Sequence, residues 1–486
     1  MFNGMSQNVI EQYEINGIPL GPELTKEQAE AIFTLGKEAV IFALLAQAKM
    51  AADQTLASKP GKQADDPSCP SGQTPAYEKP NTQGNKKKSG RPKGHLGSRR
   101  PSPDQVDRKE DCRLETCPIC GGPLNRCSDI RHRYIEDIPE GIKVEVVRYA
   151  IYRDFCPACR KNVEPTIPDA LPKSMIGNRL LAMSAWLHYA LGTTISQILS
   201  VFNFHLHFDI SSSGLIHMWH RLAEILSPWY EEIVQQLITT AVLHADETGW
   251  RVNGQTYWLW CFASQTETLF TIESSRASPV VLEFITEAFD GVLVSDFWSA
   301  YNILVCSKQK CLVHLLRDLK RVEQYKSTEH DWTSFSKKLK RLIRDAIRLR
   351  EQVESMDPEV YHRRYDLIEQ RLRAMIDQSW ENKEAKRLIK RLRRHEHELF
   401  TFVLETDVPF DNNHGERMIR IATIMRKNSY NNRSDKGALT QGILMSVFST
   451  LKQRGLNPID TLVVALKTYI KTGTLPSLCQ FSASDG

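Results

Sequence analysis

The chain has 486 residues, 41% of them hydrophobic and 25% charged, with a formal net charge of +5. That length implies more than one domain with ordinary apolar cores, and no apolar run reaches the roughly 18 residues that a membrane span needs. The N-terminus, MFNGMSQNVIEQYEINGIPL, lacks a basic region followed by an apolar core, so the expectation is a soluble, unexported chain with no membrane partner, whose eleven cysteines serve metal rather than disulfides.

Within a segment spanning 1–53, residues 24–52 predict a helix. Thr25 and Gln28 form a capping box, and Ile32, Leu35, Ala39, Phe42 and Ala46 recur at spacings of three and four. The stripe is either a dimerisation seam or a face that docks on its own chain. From 54 to 110 the composition turns to Pro, Gly, Ser, Lys and Gln with almost no large apolar residues, which predicts a disordered linker. Its KKKSGRPKGHLGSRR run packs Lys86, Lys87, Lys88, Arg91, Lys93, Arg99 and Arg100 around a Gly-Arg-Pro core. Such a run neutralises phosphates and inserts arginine into a narrow minor groove, or merely keeps a linker soluble.

Residues 111–168 carry Cys117-Pro-Ile-Cys120 and Cys156-Pro-Ala-Cys159 around two strand-like stretches, RYIEDI and IKVEVVRYAIYRDF. Two thiolate pairs on neighbouring turns supply the tetrahedral set that structural Zn2+ prefers. The expectation is a zinc ribbon holding one ion with no open position; the alternative is unliganded thiols. Residues 169–240 read as helices, NRLLAMSAWLHYAL, TTISQILSVFNFHL and SSSGLIHMWHRLAEIL, the last capped by its serines. They fit a helix-turn-helix-like DNA-binding region or a plain bundle, and no Arg/Asn/Gln set for reading bases separates the two.

Region 241–320 opens with VLHADETGWRV and QTYWLWCFA, two strands joined by the hairpin pair Asn253-Gly254. Asp246 and Glu247 are adjacent on a strand and point to opposite faces, so at most one belongs to any site on one face. GVLVSD is a second, buried strand closed by Asp296. If KCLV is a further strand, His314 stands at its end, where it orients a ligand or contacts phosphate or is simply a satisfied structural histidine, with Arg317 one turn along the next helix. Residues 321–405 form a charged helical block whose Leu and Ile repeat opposite basic residues, either a solvated face or a wall for DNA. In 406–455, Asn413, Glu416, Arg417 and Arg420 share one helical face, with Arg426 and Lys427 beyond, and Asn412 and Asn413 either cap the helix or contact DNA. A C-terminal helix and tail occupy 456–486.

Asp246, Asp296 and Glu416 are each ordinary alone. Two strand-borne aspartates with one helix-borne glutamate suit a pair of hard divalent ions, because such ions take oxygen ligands and act together on a phosphodiester. The ordered set ADETGWRV, the hairpin ending WLWCF, SDFWSAYN, CLVHLLRDLKR, and NNHGERMIR followed by RKNSYNNRSDKGA resembles the catalytic region of DDE transposases of the bacterial Insertion Sequence 66 family over about residues 241–445. The likeness continues upstream through the cysteine motif and the basic linker. The N-terminal helix departs from it, being rich in Ala and Phe rather than a leucine zipper.

The resemblance implies a multidomain α/β protein: an RNase H-like catalytic core with an α-helical insertion, preceded by a helical segment, a zinc ribbon and an N-terminal helix. It selects Asp246 over Glu247 and implies that Asp246, Asp296 and Glu416 hold two Mg2+ (or Mn2+) ions. Arg417, Arg420 and Lys427 then lie near DNA, with His314, Arg317 and Asn413 in support. The implied activity is cutting of element ends and joining of the 3′-hydroxyls to target DNA. Implied partners are double-stranded DNA, further copies of the chain and accessory proteins of the same element, in the bacterial cytoplasm at the nucleoid. The competing readings are an inactive zinc-ribbon DNA-binding protein derived from a transposase, and an RNase H-like nuclease without strand transfer.

Overall fold

The computed structural model describes residues 165–481 apart from 286–287, 327–328 and 430, together with 14–15, 18–19, 26–36, 40, 119, 122–123, 143–152, 154–158 and 160–163. The expected basic linker with Lys86, Lys87, Lys88, Arg91 and Lys93, and the expected zinc ligands Cys117, Cys120 and Cys159, lie outside the described residues. The chain divides into two compact units, 1–91 and 92–486.

In the first unit, β1 (Glu14–Ile15) pairs antiparallel with β2 (Ile18–Pro19), and α1 covers Lys26–Thr34. Of the helix expected over 24–52, α1 ends at Thr34, ahead of Gly36 with its φ of 100°, a backbone no right-handed helix accommodates; Val40 is helical again, and residues 41–52 lie outside the described residues. Of the expected apolar stripe, Ile32 is buried and Leu35 is exposed.

Among the described residues of the second unit, β3 (Asp154–Cys156) and β4 (Lys161–Val163) form a hairpin in which Cys156 faces Lys161. Residues 143–152, expected as strand, have no regular structure, and Val146, Tyr149 and Tyr152 are exposed. Strand propensity needs a ladder partner, and among the described residues no strand pairs with this segment. Helices α2 (Asn178–Tyr189), α3 (Ile195–Leu206) and α4 (Ser212–Leu237) follow. A full capping box of Thr194 and Gln197 starts α3, and Ser211 accepts the Gly214 N–H at the start of α4. These helices bury Leu181, Phe202, Trp219 and Trp229 in the same apolar core as the sheet.

That sheet has five strands in the order β7-β6-β5-β8-β9: β5 (Val242–Val252), β6 (Gln255–Ala263), β7 (Thr268–Glu273), β8 (Val292–Ser295) and β9 (Ser307–Lys310), with α5 (Ser278–Phe284) between β7 and β8. The first three are antiparallel, and β8 and β9 run parallel to β5. Asn253 (φ 48°) and Gly254 (φ 76°) make the two-residue β5–β6 turn, both left-handed as a type I′ hairpin demands. Strand β8 separates two cores: Leu293 packs with the helices above, whereas Val292 and Val294 join a second cluster built on Trp332, Phe335 and Trp380. This second core belongs to α6 (Leu312–Lys326), α7 (His330–Arg350), α8 (Pro358–Asp377), α9 (Lys383–Arg394) and α10 (Thr401–Leu404). The chain then returns to the sheet through α11 (Asn413–Ser429), α12 (Asp435–Gln453) and α13 (Pro458–Thr472).

Helix α12 closes the outer edge of β7. Ser446 Oγ accepts the Phe270 N–H at 2.8 Å and Thr450 Oγ1 accepts the Thr268 N–H at 3.1 Å, so edge groups that would otherwise invite another strand are paired. The close approach requires Gly442, where an added Cβ would lie 2.9 Å from Phe270 O. Gly442→Ala should therefore lower stability by about 1–3 kcal/mol through overpacking, although alanine favours a helix interior by up to about 1 kcal/mol. A urea midpoint at or above wild type would refute this.

Candidate active site

Strands β5 and β8 pair as Val242–Val292, Leu243–Leu293 and His244–Val294. The same offset carried two residues further sets Asp246 beside Asp296, where β8 has just ended. Each aspartate uses one oxygen on a local backbone donor: Asp246 Oδ1 accepts the Glu247 N–H at 2.9 Å, and Asp296 Oδ1 accepts the Trp298 N–H at 2.8 Å. Both carboxylates are thereby oriented by their own chain.

Glu416 comes from the first turn of α11. Asn412, 1% exposed, fixes that turn: its Nδ2 donates to Ala245 O (2.8 Å), its Oδ1 bonds His244 Nδ1 (3.0 Å), and its N–H points at Cys311 Sγ (3.2 Å). Asn412 O also accepts the Glu416 N–H at 3.0 Å, and a Cβ at Gly415 would meet Asn412 Oδ1 at 2.9 Å. One buried amide thus joins β5, the β9–α6 turn and the helix bearing Glu416. Arg317 grips Glu416 with two bonds, Nη1–Oε1 at 3.0 Å and Nη2–Oε2 at 3.2 Å, and His314 Nε2 lies 3.9 Å from Oε1.

The three acids share one electrostatic environment. Burial pushes the Asp246 carboxyl well up, and the charges of Glu247, Asp296 and Glu416 push it further. Burial lowers His314, opposed by Asp296 and Glu416, and brings buried His244 down to about 4. Neither His314 Nδ1 nor His244 Nε2 has a hydrogen-bond partner among the described residues.

Mutually repelling carboxylates at a partly buried place are stabilised by a cation, and oxygen donors suit hard divalent ions. The residues present fit such an ion. Cys311, His314 and Glu416 also bring ligand atoms within 4.8 Å of one another. The Cys311 thiol is a poor ligand for a hard ion, since burial raises it to about 11 and it accepts the Asn412 N–H.

Glu247 has a different environment. Arg276 donates to its Oε1 through Nε (3.0 Å) and Nη2 (2.6 Å), and the Tyr301 hydroxyl donates to its Oε2. Both oxygens of Glu247 are thus held on a buried side chain, although burial and the Asp296 charge still raise its carboxyl. Both oxygens of Glu416 are held too, by Arg317, but that side chain is partly exposed, and it is Asp246 that feels the Glu416 charge.

Some expectations need correction. His314 lies in the first turn of α6, not at a strand end, because the strand is the polar run Ser307–Lys310 and the helix already begins at Leu312. That run is buried through bonds its composition hides: Lys308 Nζ to Leu304 O (2.6 Å), and Gln309 Nε2 to Leu399 O (3.0 Å). Arg426 donates to Thr248 Oγ1 and Gly249 O, bracing α11 on β5. Arg417, Arg420 and Lys427 are exposed on α11. Asn413 Nδ2 bonds Asp411 Oδ2 at 2.6 Å. Of the cysteines expected as zinc ligands, Cys156 ends β3, and Cys117, Cys120 and Cys159 lie outside the described residues.

Sequence reasoning passed over His244, Cys311 and Arg276. His244 was findable, two residues before Asp246 on the same strand face, whereas Arg276 sits in a connection with no motif of its own. Removing the amide in Asn412→Ala strands the Ala245 carbonyl and His244 Nδ1, so stability should fall by about 2–4 kcal/mol. Urea denaturation measures this, and a loss under 1 kcal/mol contradicts the bracing role.

The IS66 family transposase model matches residues 173–440, a span containing all three acids, α2 to α11 and the start of α12. No curated protein matches the chain. Among the described residues no helix is long and apolar enough to cross a membrane. With more than half of its length matched, and the matched part enclosing this carboxylate site, the chain belongs to the IS66 transposase family, whose members process DNA with the help of divalent metal.

Proposed function

We propose that this chain is a DDE transposase that cuts the ends of an insertion sequence by metal-dependent phosphodiester hydrolysis and joins the 3′-hydroxyls to target DNA. The observation that carries the proposal is the register of β5 and β8, which sets Asp246 beside Asp296, with Glu416 delivered to them by the Asn412 brace. An RNase H-like core is supported by the mixed five-stranded sheet, and a helical insertion by the separate core of α6 to α10 between β9 and α11.

In this proposal Asp246, Asp296 and Glu416 hold two Mg2+ (or Mn2+) ions. Such ions, when bound, activate the attacking oxygen and stabilise the leaving one in an in-line displacement at phosphorus. The chain's own residues orient and balance charge. The backbone N–H groups of Glu247 and Trp298 fix one oxygen of each aspartate. Arg317 keeps Glu416 pointed at the site through a two-pronged bond. Exposed Arg417, Arg420 and Lys427 on α11 attract the DNA backbone. Arg391 of α9 lies 5.1 Å over the ring of Phe297, the residue after Asp296, and 2.6 Å from Asp318. No side chain is needed as a covalent nucleophile.

Outside this core, Cys117, Cys120, Cys156 and Cys159 are the proposed ligands of one structural Zn2+, and Lys86, Lys87, Lys88, Arg91 and Lys93 the proposed linker contacts to DNA. Assembly of two element ends calls for a homo-oligomer on DNA in the bacterial cytoplasm, with accessory proteins of the element as further partners. Metal analysis should find about one zinc per chain, lost in Cys156→Ser; full zinc content in that variant removes the ribbon assignment.

The central test uses labelled element ends with Mg2+. Asp246→Asn and Asp296→Asn should retain end binding and lose cleavage by at least about 100-fold. Cleavage at the wild-type rate in either variant sinks the reading. Wild-type cleavage without joining makes the protein a nuclease, and binding without cleavage makes it a non-catalytic descendant.

A further inference from the structure

We propose that Arg276 is a positioning residue that sets the spacing of the Asp246 and Asp296 carboxylates from outside the site. The inference rests on reading those aspartates as ligands of divalent metal.

Each aspartate takes its orienting hydrogen bond from its own segment: Asp246 from the Glu247 N–H on β5, and Asp296 from the Trp298 N–H in the connection after β8. Arg276, in the connection between β7 and α5, ties those two donor residues to one another. Its guanidinium makes the two bonds to Glu247 Oε1 already described, and the Glu247 side chain is only 2% exposed. The same guanidinium lies 3.8 Å from the Trp298 ring centroid and 4.5 Å from that of Trp258 on β6, so its plane is held between two indoles. The Trp298 indole N–H donates to Arg276 O at 3.1 Å. Trp298 is thus fixed by both the backbone and the side chain of Arg276.

The Tyr301 hydroxyl closes the other end by donating to Glu247 Oε2. Tyr301 is fully buried and follows Asp296 on the same connection. A closed circuit therefore runs from Asp246 through Glu247, Arg276 and Trp298 to Asp296. The β5–β8 ladder ends at His244 and Val294, two residues short of the acids. Beyond that point this circuit takes over the work of the missing ladder bonds. Arg276 touches neither aspartate, so its effect is on geometry.

The test is Mn2+ binding by the full-length protein without DNA, followed by calorimetry. Arg276→Lys keeps a positive charge opposite Glu247 but loses the planar fork and the sandwich between indoles. Expected is a dissociation constant for Mn2+ raised about tenfold or more, with melting temperature and end binding close to wild type, and with cleavage partly restored by excess Mn2+. A purely structural role would lower the melting temperature and leave the Mn2+ affinity of the folded protein alone. Unchanged affinity in folded Arg276→Lys overturns the proposal. If that variant does not fold, Trp298→Phe, which removes the N–H bond to Arg276 O and leaves a smaller ring beside the guanidinium, must weaken Mn2+ binding in the same direction, and wild-type affinity there overturns it. Asp296→Asn gives the level for a lost ligand; a wild-type protein whose Mn2+ binding matches that level overturns the metal reading itself, and this inference with it.

Discussion

The parallel pairing of β5 with β8 is the constraint on which the site depends. Two aspartates distant in the chain stand side by side because consecutive residues of one strand face consecutive residues of the other. A slip of one residue would turn every β8 side chain to the opposite face. The slip is blocked by burial on both sides, since Leu293 fills one core while Val292 and Val294 fill another. Gly291 fixes where the pairing starts. A Cβ there would lie 2.4 Å from Thr240 O and 2.8 Å from Ala241 O, so only glycine lets Val292 N–H reach Ala241 O at 2.8 Å.

The third acid arrives by a different mechanism. Glu416 is separated from Asp296 by an entire helical block with its own core, so no ladder can place it. Placement passes to one buried side chain, Asn412, whose amide satisfies β5 and whose backbone begins α11. A brace of this kind is unforgiving because each group it pairs is shut away from water and has no substitute partner. Charge is balanced nearby as well. Arg317 answers Glu416 and Arg276 answers Glu247, leaving Asp246 and Asp296 as the pair most in need of a cation.

Local chemistry made much of this legible in the sequence. The Asn-Gly turn, the serine cap of α4, the apolar strand leading to Asp296 and the helical spacing around Glu416 are short-range signals, and the structure has each of them. What escaped depends on partners far away. β9 is Ser-Lys-Gln-Lys, which reads as a loop until its lysine and glutamine bonds to distant carbonyls are seen. The stretch 143–152 has strand-forming residues but no strand beside it among the described residues, and a helix expected to pass through Gly36 ends before it. Arg276 has no periodicity or motif, and its importance is entirely a matter of what surrounds it.

Asp246 and Glu247 show how one strand separates two like residues. The pleat sends them to opposite faces, and the faces differ in what they offer. Glu247 meets a guanidinium and a phenol, both donors, and becomes a fixed internal ion pair, although burial and the Asp296 charge still raise its carboxyl. Asp246 meets two further carboxylates. The first arrangement satisfies a charge and the second leaves charge that calls for a cation, so the pair divides into a support and a candidate ligand. The adjacency is useful for that reason: the Glu247 N–H that orients Asp246 belongs to the residue whose side chain is locked to the scaffold. Rigidity on the inner face is passed to the reactive face through one peptide unit.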